Sequence, residues 1–406
     1  MTDNKKIFSL KKVMFSGKAD YVLPEIKEVK QQGGFYSYGK DNQYPKYLWN
    51  LFINSALHNA IVLGKVDYIT GKELLSESDN EELKAFIDKC NRKGDSLYSI
   101  FKKCSLDHEI YGGFTFQVIY EKLGGKIAEI YYVDFSKFRF STDGEKLKYS
   151  KDWTKQRVKV FEYENFNPDS STGTQIVYYA GELTKELYPI PSYVGTIAAI
   201  ETDIEIANFH LNNIKNGMFP GLHIDFKNGE PTEEEQGKIE DKINDKWGGS
   251  SKTGKILITF SDDQESSPTI TPVQQSDLDK MFNVLQESVR DRIVFGHRVT
   301  NPILFGVQIP GKLGNSSEYN QAYQIFQNTY TKPVQESILN VFNNVLKVNF
   351  TDPDLQVKQI EPLDTVFTDE RLIAENMTKE EIRSKLKEWN YIQEVNITSE
   401  SLKEAA

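Results

Sequence analysis

Apolar residues recur at helical intervals over three long stretches of the chain, and a short segment bounded by glycine and proline separates the first two. The first stretch is Pro191–Asn216, where Tyr193, Ile197, Ile200, Ile204, Ala207, Leu211 and Ile214 step alternately by four and three residues. That spacing draws one narrow apolar stripe along about seven turns of helix. The second is Ser276–His297, with Ser276 as cap and Leu278, Met281, Phe282, Leu285, Val289 and Ile293 on one side. The third, Glu318–Leu346, carries Tyr319, Phe326, Tyr330, Ile338, Val341 and Val345. Pro333 removes a backbone donor inside it and predicts a kink near the middle. Rods this long exceed the usual globular helix and read as struts.

Upstream, the period changes. Lys46–Tyr68 has helical spacing, opened by Pro45 and closed by Gly71. Asp79–Cys90 and the stretch capped by Ser96 predict two more helices. Past Gly112-Gly113 the pattern alternates, and Phe114, Phe116, Val118 and Tyr120 predict a strand that Gly124-Gly125 turns back into Ile127–Val133. A second hairpin is expected at Asp143-Gly144, between Phe138–Ser141 and Lys146–Tyr149. Two further strands are expected at Arg157–Tyr163 and Gln175–Tyr179. Helices first and an antiparallel sheet afterwards define an α+β domain. Between the first two rods, strand Leu222–Phe226, helix Thr232–Trp247 and strand Lys255–Phe260 form a small module, with Thr232 and Glu235 at capping-box spacing. After the third rod come strand Gln356–Leu363 and two short tail helices, around Asp369–Asn376 and Lys379–Asn390.

Composition narrows the classes. The chain has 406 residues, 38% of them hydrophobic and 12% aromatic, enough for two to three packed domains. No apolar run reaches the length of a membrane span. The polar, lysine-bearing start lacks the features of a secretory signal, so Cys90 and Cys104 read as reduced core thiols and synthesis as cytosolic. A net charge of −10 disfavours tight, sequence-independent DNA binding, although like charge suits a surface past which a duplex slides.

Reactive motifs fail on inspection. Gly249–Lys255 has the glycine and lysine spacing of a phosphate loop, but position 256 is Ile, and the segment follows a helix and precedes a strand, the reverse of the working order. The histidines His58, His108, His210, His223 and His297 show no metal-ligand spacing, and no nucleophile elbow occurs. The expectation is a protein without catalytic residues, cofactor or metal.

In order, these segments resemble the portal proteins of tailed phages, of the HK97-like kind. The carrying pieces are Gly39–Leu48 with Asn42, Tyr44 and Pro45; His108-Glu-Ile-Tyr-Gly-Gly-Phe-Thr-Phe-Gln-Val; Pro189–Asn216 running to Phe226-Lys-Asn-Gly-Glu-Pro; Asp277–Ile293 followed by Thr300-Asn-Pro-Ile-Leu-Phe-Gly; Glu318–Asn340; and Met377-Thr-Lys-Glu-Glu-Ile-Arg. The resemblance implies a portal fold: an α+β wing at 1–190, stem helices at 191–217 and 276–297, an α/β clip at 218–275, wing completion at 298–364 with a tunnel loop (307–318) and kinked helix (318–347), and a short helical crown at 365–406.

It further implies a homo-oligomeric ring, typically of twelve, at one capsid vertex of the virion, assembled in the host cytoplasm. Partners would be the major capsid protein, the large terminase motor, head–tail connector proteins, and double-stranded DNA passing non-specifically in packaging and ejection. Lys312, Asn315 and Ser316 are candidates for the DNA-facing loop tip; Glu233, Glu234, Lys238, Lys242 and Trp247 for motor or adaptor docking on the clip; Ile197, Ile200, Ile204, Leu211, Leu278, Leu285 and Val289 for stem packing; and Pro333 for the kink. A head–tail adaptor ring, and less so a degenerate nucleotide-binding enzyme, are the alternatives.

Overall fold

The computed structural model describes residues 24–155, 159–184, 187–216, 222–226, 256–260, 269–272, 278–306 and 316–360, with Thr232, Glu234, Glu235, Lys238, Ile239 and Thr378 besides. The chain opens with a small antiparallel pair, β1 (Lys30–Gln31) and β2 (Phe35–Tyr36). Two helices follow, α1 (Tyr44–Asn54) and α2 (Ala56–Thr70), where periodicity predicts one. Ser55 breaks the run by adopting an extended conformation, and its hydroxyl oxygen accepts the His58 N–H at 3.2 Å, capping α2. Strand β3 (Glu73–Ser76) was not legible in the sequence; it pairs antiparallel with β13 (Leu355–Lys358) from the far end of the chain. Helices α3 (Glu81–Asp88) and α4 (Leu97–Tyr111) lie where expected, α4 capped by the Ser96 side chain and stopped by Gly112 at φ 86°.

The main sheet has six strands: β4 (Gly113–Tyr120), β5 (Ile127–Tyr132), β6 (Phe138–Phe140), β7 (Lys146–Tyr149), β8 (Phe161–Asn165) and β9 (Thr174–Ala180). Their order is β5-β4-β9-β8-β7-β6. The predicted turns at Gly124-Gly125 and Asp143-Gly144 are present. One pairing departs from the antiparallel expectation: β8 and β9 run parallel over Glu164↔Gln175 and Asn165↔Ile176. Consecutive strands β5 and β6 sit on opposite edges, joined through a single 3₁₀ turn at Phe135–Lys137. The link from Tyr132 to Phe138 can span about 21 Å, whereas the edges of a flat six-stranded sheet stand about 24 Å apart. The sheet therefore coils, bringing its edges towards each other.

Helix α5 (Ile197–Asn216) begins after a 3₁₀ turn at Val194–Thr196, later than the predicted start at Pro191. Beyond it, β10 (Leu222–Phe226) pairs parallel with β11 (Ile256–Phe260) and antiparallel with β12 (Thr269–Pro272), a strand the sequence pattern did not reveal. The intervening predicted helix falls mostly outside the described residues, but one half of its capping box is present: the Thr232 N–H donates to Glu235 Oε2 at 3.1 Å, and the Thr232 hydroxyl donates to the same oxygen at 2.9 Å. Helix α6 (Leu278–Gly296) returns the chain. The tail helices lie outside the described residues.

The third rod is α7 (Ser316–Phe326), a π-turn (Gln327–Thr331) and α8 (Lys332–Leu346). One row of its buried or half-buried side chains, Ala322, Phe326, Tyr330, Val334, Ile338, Phe342 and Leu346, falls every fourth residue, beside a second row of Tyr323, Gln327, Thr331 and Gln335. An α-helix overshoots such spacing by about 40° per step, and the wider π-turn takes part of that drift back. Pro333 follows in the first turn of α8, where its missing N–H costs least.

Two cores result. One lies between the sheet and helices α3, α4, α7 and α8, where Phe342 stacks on Phe116 at 4.7 Å and meets Phe101 edge-on at 5.8 Å. The other, around Leu48, Ile61, Val62, Tyr193, Ile197, Ile200, Val289 and Ile293, sits at the base of α5 and α6. Cys90 and Cys104 are free and buried, with burial pushing the Cys90 thiol up to about 12.

Candidate functional site

Helices α5 and α6 lie antiparallel, and three contacts fix their register. Thr196 donates its hydroxyl to the Arg292 carbonyl at 2.9 Å. Gly296 packs beneath Thr196, so closely that a Cβ there would come within 2.4 Å of the Thr196 Cβ. Further out, Phe209 stacks on Phe282 at 5.1 Å. With 20 and 19 residues the two rods extend about 30 Å and 28 Å.

Their root is built into the second core. Tyr193 donates to the Ile110 carbonyl at 2.7 Å, and its ring packs against His58 (4.5 Å) and His297 (5.2 Å). His58 Nδ1 and His297 Nε2 lie 2.8 Å apart, so one ring donates to the other. Burial lowers His58 to about 3, with the nearby Lys65 charge adding to the effect, and holds His297 well below the usual imidazole range for the same two reasons. Both rings are therefore neutral at pH 7. On the α1 side, Tyr47 donates to Glu201 at 2.7 Å and Ser55 to Asp203 at 2.6 Å. The break at Ser55 thus serves α5 as well as α2.

Behind the histidines lies a buried ion pair. Lys65 Nζ stands 3.4 Å from Glu109 Oε2, both side chains within 1% of complete burial. Tyr330 of the π-turn donates its hydroxyl to the same carboxylate, 2.8 and 2.7 Å from its two oxygens, and Lys65 lies 4.0 Å over the Tyr330 ring. Burial alone would raise Glu109, but Lys65, His108 and Tyr330 override it and hold the carboxyl at about 2. Helices α2 and α4, the rod root and the π-turn converge on this buried network. Among the described residues no group of three or more His, Cys, Asp or Glu side chains could hold a metal ion, and no helix is long and apolar enough to cross a membrane.

The predicted site residues fare differently. Ile197, Ile200 and Val289 are buried in the root, and Ile204 packs half-buried against it. The expected continuous seam stops there: Ala207 and Leu211 are exposed, and the buried position is Ile206, about 100° round the helix from Ala207. Leu285 is also exposed, and Leu278 opens α6. Glu234 and Lys238 form an exposed ion pair at 2.8 Å. Ser316 opens α7, whereas Lys312, Asn315, Glu233, Lys242 and Trp247 lie outside the described residues. His58, Lys65, Glu109, His297 and Tyr330 were not singled out as a group by the sequence; their only local signal is a polar residue on an otherwise apolar helical face.

No family model and no curated protein matches the chain. Solved structures do. A chain from the neck of an empty gene transfer agent (GTA) particle aligns with a TM-score of 0.58 at 12% identity, over 89% of this chain and 96% of that one. A chain from the virion of a native GTA particle aligns at 0.57 and 13% identity with the same coverage. This is the fold of a virion-neck chain. An HK97 family phage portal protein from Corynebacterium diphtheriae aligns at 0.44 and 12% identity over 76% of this chain and 94% of that one; the fold assignment rests on the two GTA chains. The mixed helix-and-sheet architecture expected from the sequence agrees with it.

Proposed function

We propose that this chain is a portal protein: a ring at one capsid vertex through which DNA is packaged and ejected, located in the virion once assembled. The observation that carries this reading is a whole-chain likeness to a virion-neck chain, joined to a pair of long helices whose outer halves expose apolar side chains. The neck of the native GTA particle, at TM-score 0.55, was treated with C12 symmetry, and twelve is the subunit number adopted here. At −10 per chain, twelve copies would sum to about −120, a field that keeps a duplex from adhering to the wall.

In this reading the wing comprises 1–190 and 298–364, the stem 191–217 and 276–297, the clip 218–275 and the crown 365–406. The loop 307–318 faces the DNA, with Lys312 and Asn315 as its contact candidates and Ser316, at the start of α7, as a third. The terminase motor docks on the clip around Glu233, Glu234, Lys238, Lys242 and Trp247, and connector proteins later take its place. The chain guides and holds; hydrolysis belongs to the motor. Electron-microscope class averages of the purified full-length protein test the proposal. Rings with a central channel wide enough for a duplex are expected, and a protein that stays monomeric, and is absent from capsid vertices, overturns it.

A further inference from the structure

A cavity of about 570 Å³ opens where α1, the end of α4, the 3₁₀ turn at Phe135–Lys137 and the turn after β7 meet. That size suits a small organic ligand. Arg139, only 2% exposed, lines it and forms no ion pair with a described residue. Its hydrogen bonds go to neutral acceptors. Nε donates to the Asn42 side chain, Nη1 to the Ser136 and Phe138 carbonyls at 2.9 and 2.6 Å, and Nη2 to the Asn42 carbonyl at 3.1 Å. A guanidinium has five N–H groups, so one on Nη2 remains open. Dipoles satisfy the donors but leave a buried charge without a counter-charge. The carboxylate that bears on it, Asp134, already faces Lys137 at 3.8 Å.

The rest of the lining adds to the surplus. Lys46 and Lys151 line the cavity, both exposed, and neither pairs with a described acid. The acids there are already engaged. Asp152 faces Lys155 at 3.7 Å, and Asp107 accepts from the Tyr132 hydroxyl at 3.1 and 3.0 Å and from the Phe135 N–H at 3.1 Å. Burial raises the Asp107 carboxyl well above the usual range, which weakens its hold on a negative charge. A local excess of cations thus lies within a chain of net charge −10. Two tryptophans complete the wall. Trp153 is fixed, donating Nε1 to the Lys137 carbonyl at 2.9 Å with its ring 4.7 Å from Phe35. Trp49 on α1 leaves 41% of its surface exposed, a flat apolar face that a second ring would cover.

We propose that this cavity binds a nucleoside phosphate, with the phosphate among Arg139, Lys46 and Lys151 and the base against Trp49. The phosphate supplies the counter-charge that Arg139 lacks and accepts its remaining N–H. The base stacks on the indole, a contact that tolerates any base. The bound molecule bridges α1 to the sheet, and α1 is the helix whose Tyr47 and the adjoining Ser55 hold α5. The inference is independent of the ring.

Titrating the full-length chain with AMP, adenosine and inorganic phosphate tests it, followed by tryptophan fluorescence and calorimetry. AMP should bind saturably and quench fluorescence, with adenosine and phosphate each weaker by about tenfold or more. Trp49→Ala should weaken AMP about tenfold, remove most of the quenching and leave phosphate binding unchanged. Lys46→Ala combined with Lys151→Ala should weaken AMP and phosphate alike, again about tenfold. All three residues are exposed, and thermal unfolding serves as the fold control. Arg139→Gln should abolish binding; because Arg139 also ties Asn42 to Ser136, the exposed variants carry the test if that one fails to fold. No saturable AMP signal up to about 10 mM, where affinity is below any specific site, overturns the proposal. Phosphate or adenosine binding as tightly as AMP overturns the nucleotide assignment, and AMP binding unmoved by the Trp49 and lysine changes overturns the location.

Discussion

Replacing Lys65 with Met strands a buried carboxylate, that of Glu109. The wild-type pair sits 3.4 Å apart with both side chains within 1% of full burial, and Met keeps the bulk of the lysine stem. Removing one member of such a pair costs about 3–5 kcal/mol, because the remaining charge has lost its counter-ion in a medium that solvates it poorly. The acid side supplies an independent magnitude. Glu109 is held at about 2, against an ordinary value of 4.5, so its ionisation contributes about 3 kcal/mol to folding. The sign follows: a depressed carboxyl stabilises fully above its unfolded value, and the contribution fades as pH falls from about 4.5 to about 2.

In Lys65→Met burial dominates instead and raises Glu109, which takes up a proton on folding. The His58 ring also loses a neighbouring cation, which acts in the same direction. Denaturant unfolding of both proteins from pH 7 to pH 3 should therefore show a deficit of about 3–5 kcal/mol at neutrality that shrinks steadily in acid. A deficit below about 1 kcal/mol at pH 7, or one unchanged across the range, would refute the reasoning; about 1 kcal/mol is the ceiling for an ordinary exposed pair. Lys65→Met combined with Glu109→Gln should recover part of the loss, since the second change removes the stranded charge.

Three further outcomes are expected. Wild-type stability should fall as pH drops below 6.5, by at most about 1.4 kcal/mol per unit for each ring, because His58 and His297 stay neutral when folded and charge when unfolded; unfolding midpoints of His58→Phe between pH 7 and pH 4 should show a shallower slope. Gly296→Val should cost about 1–3 kcal/mol by forcing apart the root of the rods against Thr196, read as a lower melting temperature. Deleting residues 308–316 should leave rings assembling while DNA packaging or retention changes in infected cells, and unchanged packaging and retention would speak against the loop's proposed role.

What the sequence determined alone is local. The Ser96 cap and Gly112 stop of α4, the Asp143-Gly144 hairpin, the Thr232–Glu235 box and three rods all follow from periods, caps and turns within a few residues of one another. Tertiary structure decided what depends on distant partners. Ser55 interrupts a helical run because its side chain serves both α2 and Asp203, 148 residues away. Strand β3 exists through β13, and His58 meets His297 across 239 residues. The apolar stripe of α5 reads as one seam, yet the folded chain covers only its lower half. Periodicity reports which face avoids water; it carries no information about whether the cover comes from the same chain or from another.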